Sequence, residues 1–269
     1  MNIGNINQKL KEIWRNNESF IKEKNEEIGK SDKEKTMPCP IFSQKITEED
    51  QGKVLFIGMN PSFNEEFVKK AIIQSKIDMQ FDDIYKWSSY TDEDIAKIQT
   101  MDSWALTTNI KGKFQHPYFS KFDTLLTFEE IDVSTAKPLL WNHIDLFFYR
   151  ETNQRDFKKK IIRQDQGKLN SFGNDQIKLT KELIIEYNPC LIIVVNAFAS
   201  ELIKKEIFSE KEIKFDESKG YDLFTWGENL KDVPIFFSSM LTGQRALDKH
   251  SFKRLKWHVK QALQDKKKI

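Results

Sequence analysis

The sequence predicts an α/β protein, and three observations carry that prediction. The runs Val54-Leu55-Phe56-Ile57 and Cys190-Leu191-Ile192-Ile193-Val194-Val195 are continuously apolar, as strands buried on both faces of a parallel sheet are. Each is followed by a segment with helical spacing, at residues 64–74 and 197–208. Turn residues stand at the joints, in Gly58, Asn60-Pro61 and Asn188-Pro189. The expected architecture is a three-layer αβα domain around a central, mostly parallel sheet of four strands, with helices on both faces.

At 269 residues, with 39% apolar and 31% charged side chains, the composition is that of a soluble globular protein rather than a disordered one. The 43 basic residues nearly balance the 41 acidic ones, leaving +2, so any nucleic-acid surface has to be local. The two cysteines, Cys39 and Cys190, are too few for a disulfide framework or a cysteine zinc site. His, Asp and Glu show no metal-ligand spacing, so neither metal nor cofactor is expected. The polar N-terminus reads as an amphipathic helix rather than a signal peptide. No apolar stretch approaches the roughly 18 residues of a membrane span. The expectation is a cytoplasmic chain with no membrane partner.

Residues 1–40 read as an N-terminal helix and polar linker, and residues 41–269 as the α/β domain. The helix covers residues 1–22, and the charged stretch 23–36 ends at Pro38 and Pro40. The first strand, 54–58, leads through a tight loop into the helix at 64–74. Residues 75–113 have no sustained period and read as an insertion with short helices. A second strand is expected over 139–149. Ile177, Leu179, Leu183, Ile184 and Tyr187 form one helical face, which Asn188-Pro189 stops before the strand 190–195. After the helix at 197–208, residues 220–227 read as an edge hairpin and 233–237 as the last strand, where Pro234 requires a strand start or edge. The final helix, 251–263, is basic on one side and buries Leu255, Trp257 and Val259 on the other.

Ligands of open α/β sheets collect outside the carboxyl ends of the strands. The unusual polar clusters of this sequence follow the expected strands, at residues 58–64, 145–154, Asn196 and 238–250. Each has an ordinary account as well. Asn60 could be a turn residue capping the helix near Asn64, and Asp145 a buried acid paired with Arg150 or Arg245. With 21 Phe in the chain, Phe119 fits a core position. Lys158-Lys159-Lys160 reads as surface charge, and the basic residues from Lys249 to Lys260 as a solvated helix face or a grip on phosphate.

The run Val54-Leu55-Phe56-Ile57-Gly58-Met59-Asn60-Pro61 resembles the first motif of the mismatch-specific and single-strand-selective uracil-DNA glycosylases, a Gly-x-Asn-Pro loop after the first strand. The segment from Asp145 to Gln154 is similar to that superfamily's second segment, a strand with a base-reading residue that runs into an Arg-containing loop. Residues 176–195 resemble the helix, Pro and apolar strand that come next in the thermophilic-type branch. The resemblance spans roughly residues 50–263. It implies that Asn60 orients the attacking water, that Gly58, Met59, Pro61 and Ser62 pack against the base, and that Asp145 reads the base edge. His116-Pro117-Tyr118-Phe119 resembles the stretch that stacks an aromatic, here Phe119, on the extruded base. The tail from Phe236 stands where a His-Pro-Ser loop would, and Ser239, Thr242, Gly243, Gln244 and Arg245 would there meet phosphate and leaving group. Asn196, after the third strand, joins these as a substrate contact by position.

Two departures redirect the expectation. Asp145 stands where the family carries an Asn, and an ionised carboxylate only accepts hydrogen bonds. It favours a base edge presenting an amino group, as in cytosine, adenine or a modified cytosine, over uracil. The final loop lacks the family's His, which stabilises charge on the departing base, so Arg245, Gln244 or the N–H groups near Gly243 would have to replace it. The expected function is a metal-independent DNA glycosylase-like hydrolase that flips and excises a damaged, mismatched or modified base. Its expected partner is single-stranded or damaged DNA. One rival is a nucleic-acid or nucleotide binder on the same scaffold that excises nothing. An unrelated nucleotide-binding protein is the other, although residues 58–62 lack the glycine spacing of a phosphate-cradling loop.

Overall fold

A computed structural model describes residues 3–29, 38–44, 46–109, 113–128, 140–162, 167–243 and 246–266. Its helices are α1 (Ile3–Glu27), α2 (Glu65–Ser75), α3 (Asp92–Ala105), α4 (Ser120–Leu126), α5 (Gln154–Ile161), α6 (Ser171–Tyr187), α7 (Ala197–Leu202) and α8 (Lys249–Asp265). Its strands are β1 (Val54–Gly58), β2 (Trp141–Asp145), β3 (Leu191–Val195), β4 (Ile213–Asp216), β5 (Tyr221–Trp226) and β6 (Leu230–Ser238). The chain forms two compact units. Residues 46–59, 108–144 and 182–269 make a sheet unit, and residues 1–45, 60–107 and 145–181 a helical unit.

In the sheet unit the strand order is β2-β1-β3-β6-β5-β4. The apolar runs of β1 and β3 are buried at every position, as their composition predicts. They pair in parallel, Val54 opposite Leu191, and β3 pairs in parallel with β6, Ile192 opposite Ile235. The Val54 N–H donates to Leu140 O at 3.2 Å, so β2 starts at the same edge as β1. β4 and β5 then add antiparallel strands beyond β6. The sheet is therefore six-stranded and mixed, which corrects the expected four-stranded one. The reason is local: the turn at Gly227 folds β5 back on a β6 that begins three residues before Val233, and a second turn at Gly220 adds β4. Pro234 is tolerated because the ladder to β3 begins only at Ile235, beyond it.

Aromatic packing joins α4 to the sheet. The rings of Phe56 on β1 and Phe122 on α4 stack at 4.1 Å with 6° between planes, and Trp141 meets both edge-on. The segment expected as one helix over 197–208 is α7 followed by a π-helical turn, Ile203–Ile207. α8 buries Val259, Ala262 and Leu263. Trp257 was expected among them and is instead 58% exposed, because it lies two residues from Val259 and so far around the helix from that face.

In the helical unit α1 buries Ile6, Leu10, Trp14 and Ile21, and Trp14 meets Trp87 edge-on at 6.0 Å. The Asn7 amide pairs with both backbone groups of Phe42 at 2.8 and 2.9 Å. The helix runs to Glu27, into the stretch expected as linker, of which residues 30–37 lie outside the described residues. The segment 75–113 contains the short helices expected of it, a 3-10 helix at Phe81–Ser89 and α3. The second strand is shorter than expected. Beyond Asp145, Leu146 O accepts from Thr180 Oγ1 at 2.8 Å and the Phe148 N–H donates to Gln176 Oε1 at 2.9 Å. Side chains of α6 thus satisfy backbone groups that a neighbouring strand would otherwise satisfy. Among the described residues no helix is long and apolar enough to cross a membrane.

Candidate functional site

In the sheet unit, the order of strands reverses around β1 and β3, since the chain leaves β1 toward β2 on one side and β3 toward β6 on the other. That is where an open α/β sheet offers a crevice. Val195 pairs with Ser238 and Ile57 with Val194, so the next residues, Met59, Asn196 and Ser239, leave the sheet at one level. Met59 is buried. The Asn196 Oδ1 caps α7, accepting from the N–H groups of Phe198 and Ala199 at 2.9 and 3.1 Å. That cap is a structural reason for an Asn here.

An open cleft of about 480 Å3 lies at this end of β6. Ser200, Ser238, Ser239 and Ser251 line it, with Ala197, Phe237, Leu247 and Leu255 as apolar walls. The Ser200 hydroxyl donates to Asn196 O at 2.9 Å, that of Ser238 to Ser239 O at 3.0 Å, and that of Ser251 to the Asp248 carboxylate at 2.6 Å. With those protons engaged, the three hydroxyl oxygens keep chiefly acceptor capacity. The loop after β6 is closed by Leu247 N–H donating to Met240 O at 2.9 Å. Gly243 adopts φ 86°, a conformation that favours glycine, and Thr242 precedes it half-buried. Gln244 and Arg245, expected as substrate contacts, lie outside the described residues.

Phe119 is placed differently from its expected role. Its ring stacks on Trp141 at 5.7 Å and meets His143 edge-on at 5.6 Å. Those are the first and third residues of β2, so Phe119 sits toward the amino end of that strand, within an aromatic cluster. Burial, reinforced by the nearby charge of His116, lowers the His143 pKa to about 3.

In the helical unit the loop that begins at Asn60 is stitched to the loop that follows β2. The Asn60 Nδ2 donates to the main-chain oxygens of Glu151 at 2.7 Å, Pro61 at 3.2 Å and Tyr149 at 3.3 Å. The Glu151 N–H returns a bond to Pro61 O at 3.1 Å, and Thr152 Oγ1 both donates to Phe63 O and accepts from the Phe63 N–H. Three carbonyls around one amide nitrogen settle which way the Asn60 amide faces. Among the described residues its Oδ1 accepts no hydrogen bond. Asn60 does not cap α2, because Asn64 does, accepting from Phe67 N–H at 2.9 Å. Ser62 is exposed on this loop.

Asp145 ends β2. Removal from water raises its carboxyl pKa to about 7, with the charge of Arg150 pulling the other way. The Arg150 Nε donates to Cys39 O at 2.5 Å. Burial also pushes the Cys39 thiol up to about 11, against the pull of Arg150.

Sequence reasoning missed the network behind Asn60. Lys160, expected on the surface, is buried; its ammonium lies 2.9 Å from the Glu151 carboxylate and also donates to the Tyr149 hydroxyl. Burial, then the Glu151 charge, raises the pKa of Tyr149. A signal was present: Phe157, Lys160 and Ile161 share the i, i+3, i+4 face that α5 buries. Among the described residues no group of three or more His, Cys, Asp or Glu could hold a metal ion. No family model, no curated protein and no solved structure matches this chain.

Proposed function

We propose that this chain is a DNA glycosylase-like hydrolase on a uracil-DNA-glycosylase-like α/β scaffold, which extrudes a damaged, mismatched or modified base and hydrolyses its N-glycosidic bond. The observation that carries the reading is the fixing of Asn60. With Nδ2 held by three carbonyls, the capacity left to the side chain is that of an acceptor at Oδ1. Orienting a water for attack needs such an acceptor. In the reaction the water oxygen bonds to the sugar C1′, the bond to the base breaks with its electron pair on the base, and the water proton passes to solvent or base.

Asp145 reads the base edge in this scheme. With a pKa near 7 it is a mixture of carboxylate and neutral acid at neutral pH, and the neutral form donates as well as accepts. The carboxylate favours an amino-bearing edge; the acid form also suits a ring nitrogen or carbonyl. Duplex DNA with a mismatched or damaged base, or single-stranded DNA, lowers the cost of extrusion.

The test is incubation with oligonucleotides carrying one candidate base each, followed by alkaline scission at abasic sites. The expected result is release of at least one base, reduced about 100-fold by Asn60→Ala. A full panel left uncut counts against excision. The final loop favours a second reading, a binder that releases no base, because Ser238 to Gly243 includes no His to stabilise a departing anion. Tight binding to one of the oligonucleotides without scission selects it.

A further inference from the structure

We propose that the outer stripe of α8 is a contact surface for a single-stranded nucleic acid, with a base stacked on Trp257 and phosphates held by Lys253 and Arg254. His250, Lys253, Arg254 and Trp257 recur at helical spacing over about 10 Å of helix. All four are exposed or half-exposed, with Trp257 at 58%. A large indole left in water on a helix that buries Val259, Ala262 and Leu263 elsewhere is not part of the core.

The charge pattern differs from that of an ordinary solvated helix face. On α1, α2, α3 and α6, lysines form ion pairs with acids three or four residues away, as Lys22 does with Glu18, Lys69 with Glu65, Lys97 with Glu93 and Lys178 with Asp175. Between Asp248 and Asp265, α8 has no acid at all, and neither Lys253 nor Arg254 has an ion pair among the described residues. Both end acids are committed: Asp248 caps the helix through the His250 and Ser251 N–H groups, and Asp265 accepts from the Tyr221 hydroxyl at 2.9 Å. Lys249, in the first turn, also opposes the helix dipole, so helix stability does not account for it. Lys121 on α4, its ammonium 5.6 Å from the Phe252 ring, extends the basic surface.

Cations interleaved with one exposed aromatic match a polymer of phosphates and unpaired bases. A bilayer fits less well, because Val259, Ala262 and Leu263 are buried, Phe252 and Leu255 are half-buried, and a single exposed indole gives little insertion. The inference shares only a nucleic-acid partner with the proposed function and does not require excision. A chain that binds single strands through α8 but releases no base leaves this surface standing and defeats only the excision reading.

The test uses the full chain and a fluorescein-labelled oligothymidylate of about 15 nucleotides. Anisotropy is followed from about 50 to 300 mM KCl. Trp257→Ala is expected to weaken binding at least about fivefold and Trp257→Phe to restore part of it. Lys253→Glu with Arg254→Glu should weaken it further and make the log–log salt dependence shallower by about 1.4. Urea midpoints equal to wild type confirm that these surface variants are folded. The inference is overturned if the wild-type chain does not bind the oligonucleotide, if the variants bind it as well as wild type, or if Trp257 is needed only for phosphatidylserine vesicles.

Discussion

The Lys160 ammonium lies 2.9 Å from the Glu151 carboxylate, and only 1% and 8% of the two side chains are exposed. The pair sits behind Asn60, whose amide donates to the Glu151 main-chain oxygen at 2.7 Å. Breaking a buried pair leaves an uncompensated charge, whereas replacing both partners removes the need for compensation. Lys160→Met is therefore expected to destabilise the chain by about 3–5 kcal/mol. Adding Glu151→Gln should recover a large part of the loss. Urea unfolding of the two single variants and the double variant measures this; additive losses would show that the two charges are not coupled.

Gln176 is buried on α6 and accepts the Phe148 N–H at 2.9 Å, where the chain has left the sheet. Gln176→Leu keeps the volume and strands that N–H. The expected cost is about 1–3 kcal/mol, seen as a lower urea midpoint with an unchanged slope.

Asp145 has a pKa raised from 3.8 to about 7, so between those values the folded state binds more protons than the unfolded one. Its contribution to stability is therefore fully present below about 3.8 and lost as pH rises through about 7. Several other carboxylates, such as Asp50 and Asp94, are shifted downward and slope the opposite way. The difference between wild type and Asp145→Asn isolates the effect. The variant should gain on wild type as pH rises across that window, in urea midpoints measured at intervals of pH. A difference independent of pH would refute the assignment.

His143 shows the opposite sign. Its pKa falls from 6.5 to about 3, so on acidification the unfolded state takes up the proton first. Wild-type stability is lost as pH drops from about 6.5 toward 3, and His143→Phe should lose less over the same range. Tyr118, Phe119 and Phe122 surround the ring, so a phenyl group suits the site. Thermal or urea midpoints of the two proteins at pH 7 and in mild acid check this.

The legible parts of this fold are those set by neighbours in the chain. Continuous apolar runs gave β1 and β3, and the 3.6-residue period gave α6 and the start of α7. Asn64, Asn153 and Asn196 cap the helices that follow them, roles that residue type leaves open, since Asn60 suits the first cap equally well and Asn196 a substrate contact. The added strand β4 was harder to read, because Ile213–Asp216 is short, exposed in its middle and apolar at only two positions. Such an edge strand is defined by its pairing with Phe224 to Tyr221, a partner that the segment itself does not specify.

The candidate site divides along the same line. Residue types alone put unusual polar clusters at Asn60, at Asp145 and in the loop after β6, each at a strand end, since alternation of strand and helix already implies where those ends fall. Tertiary structure decided what each group can do there. It turned the Asn60 amide nitrogen onto three carbonyls, raised the Asp145 pKa toward neutrality, buried Lys160 against Glu151 and left Trp257 in water. Periodicity reports which face a residue shares with its neighbours along the chain, but burial, desolvation and hydrogen-bond direction depend on segments tens of residues away. The loops at 60–63 and 149–152, joined through Asn60 and Thr152, are the clearest instance: neither segment encodes the other.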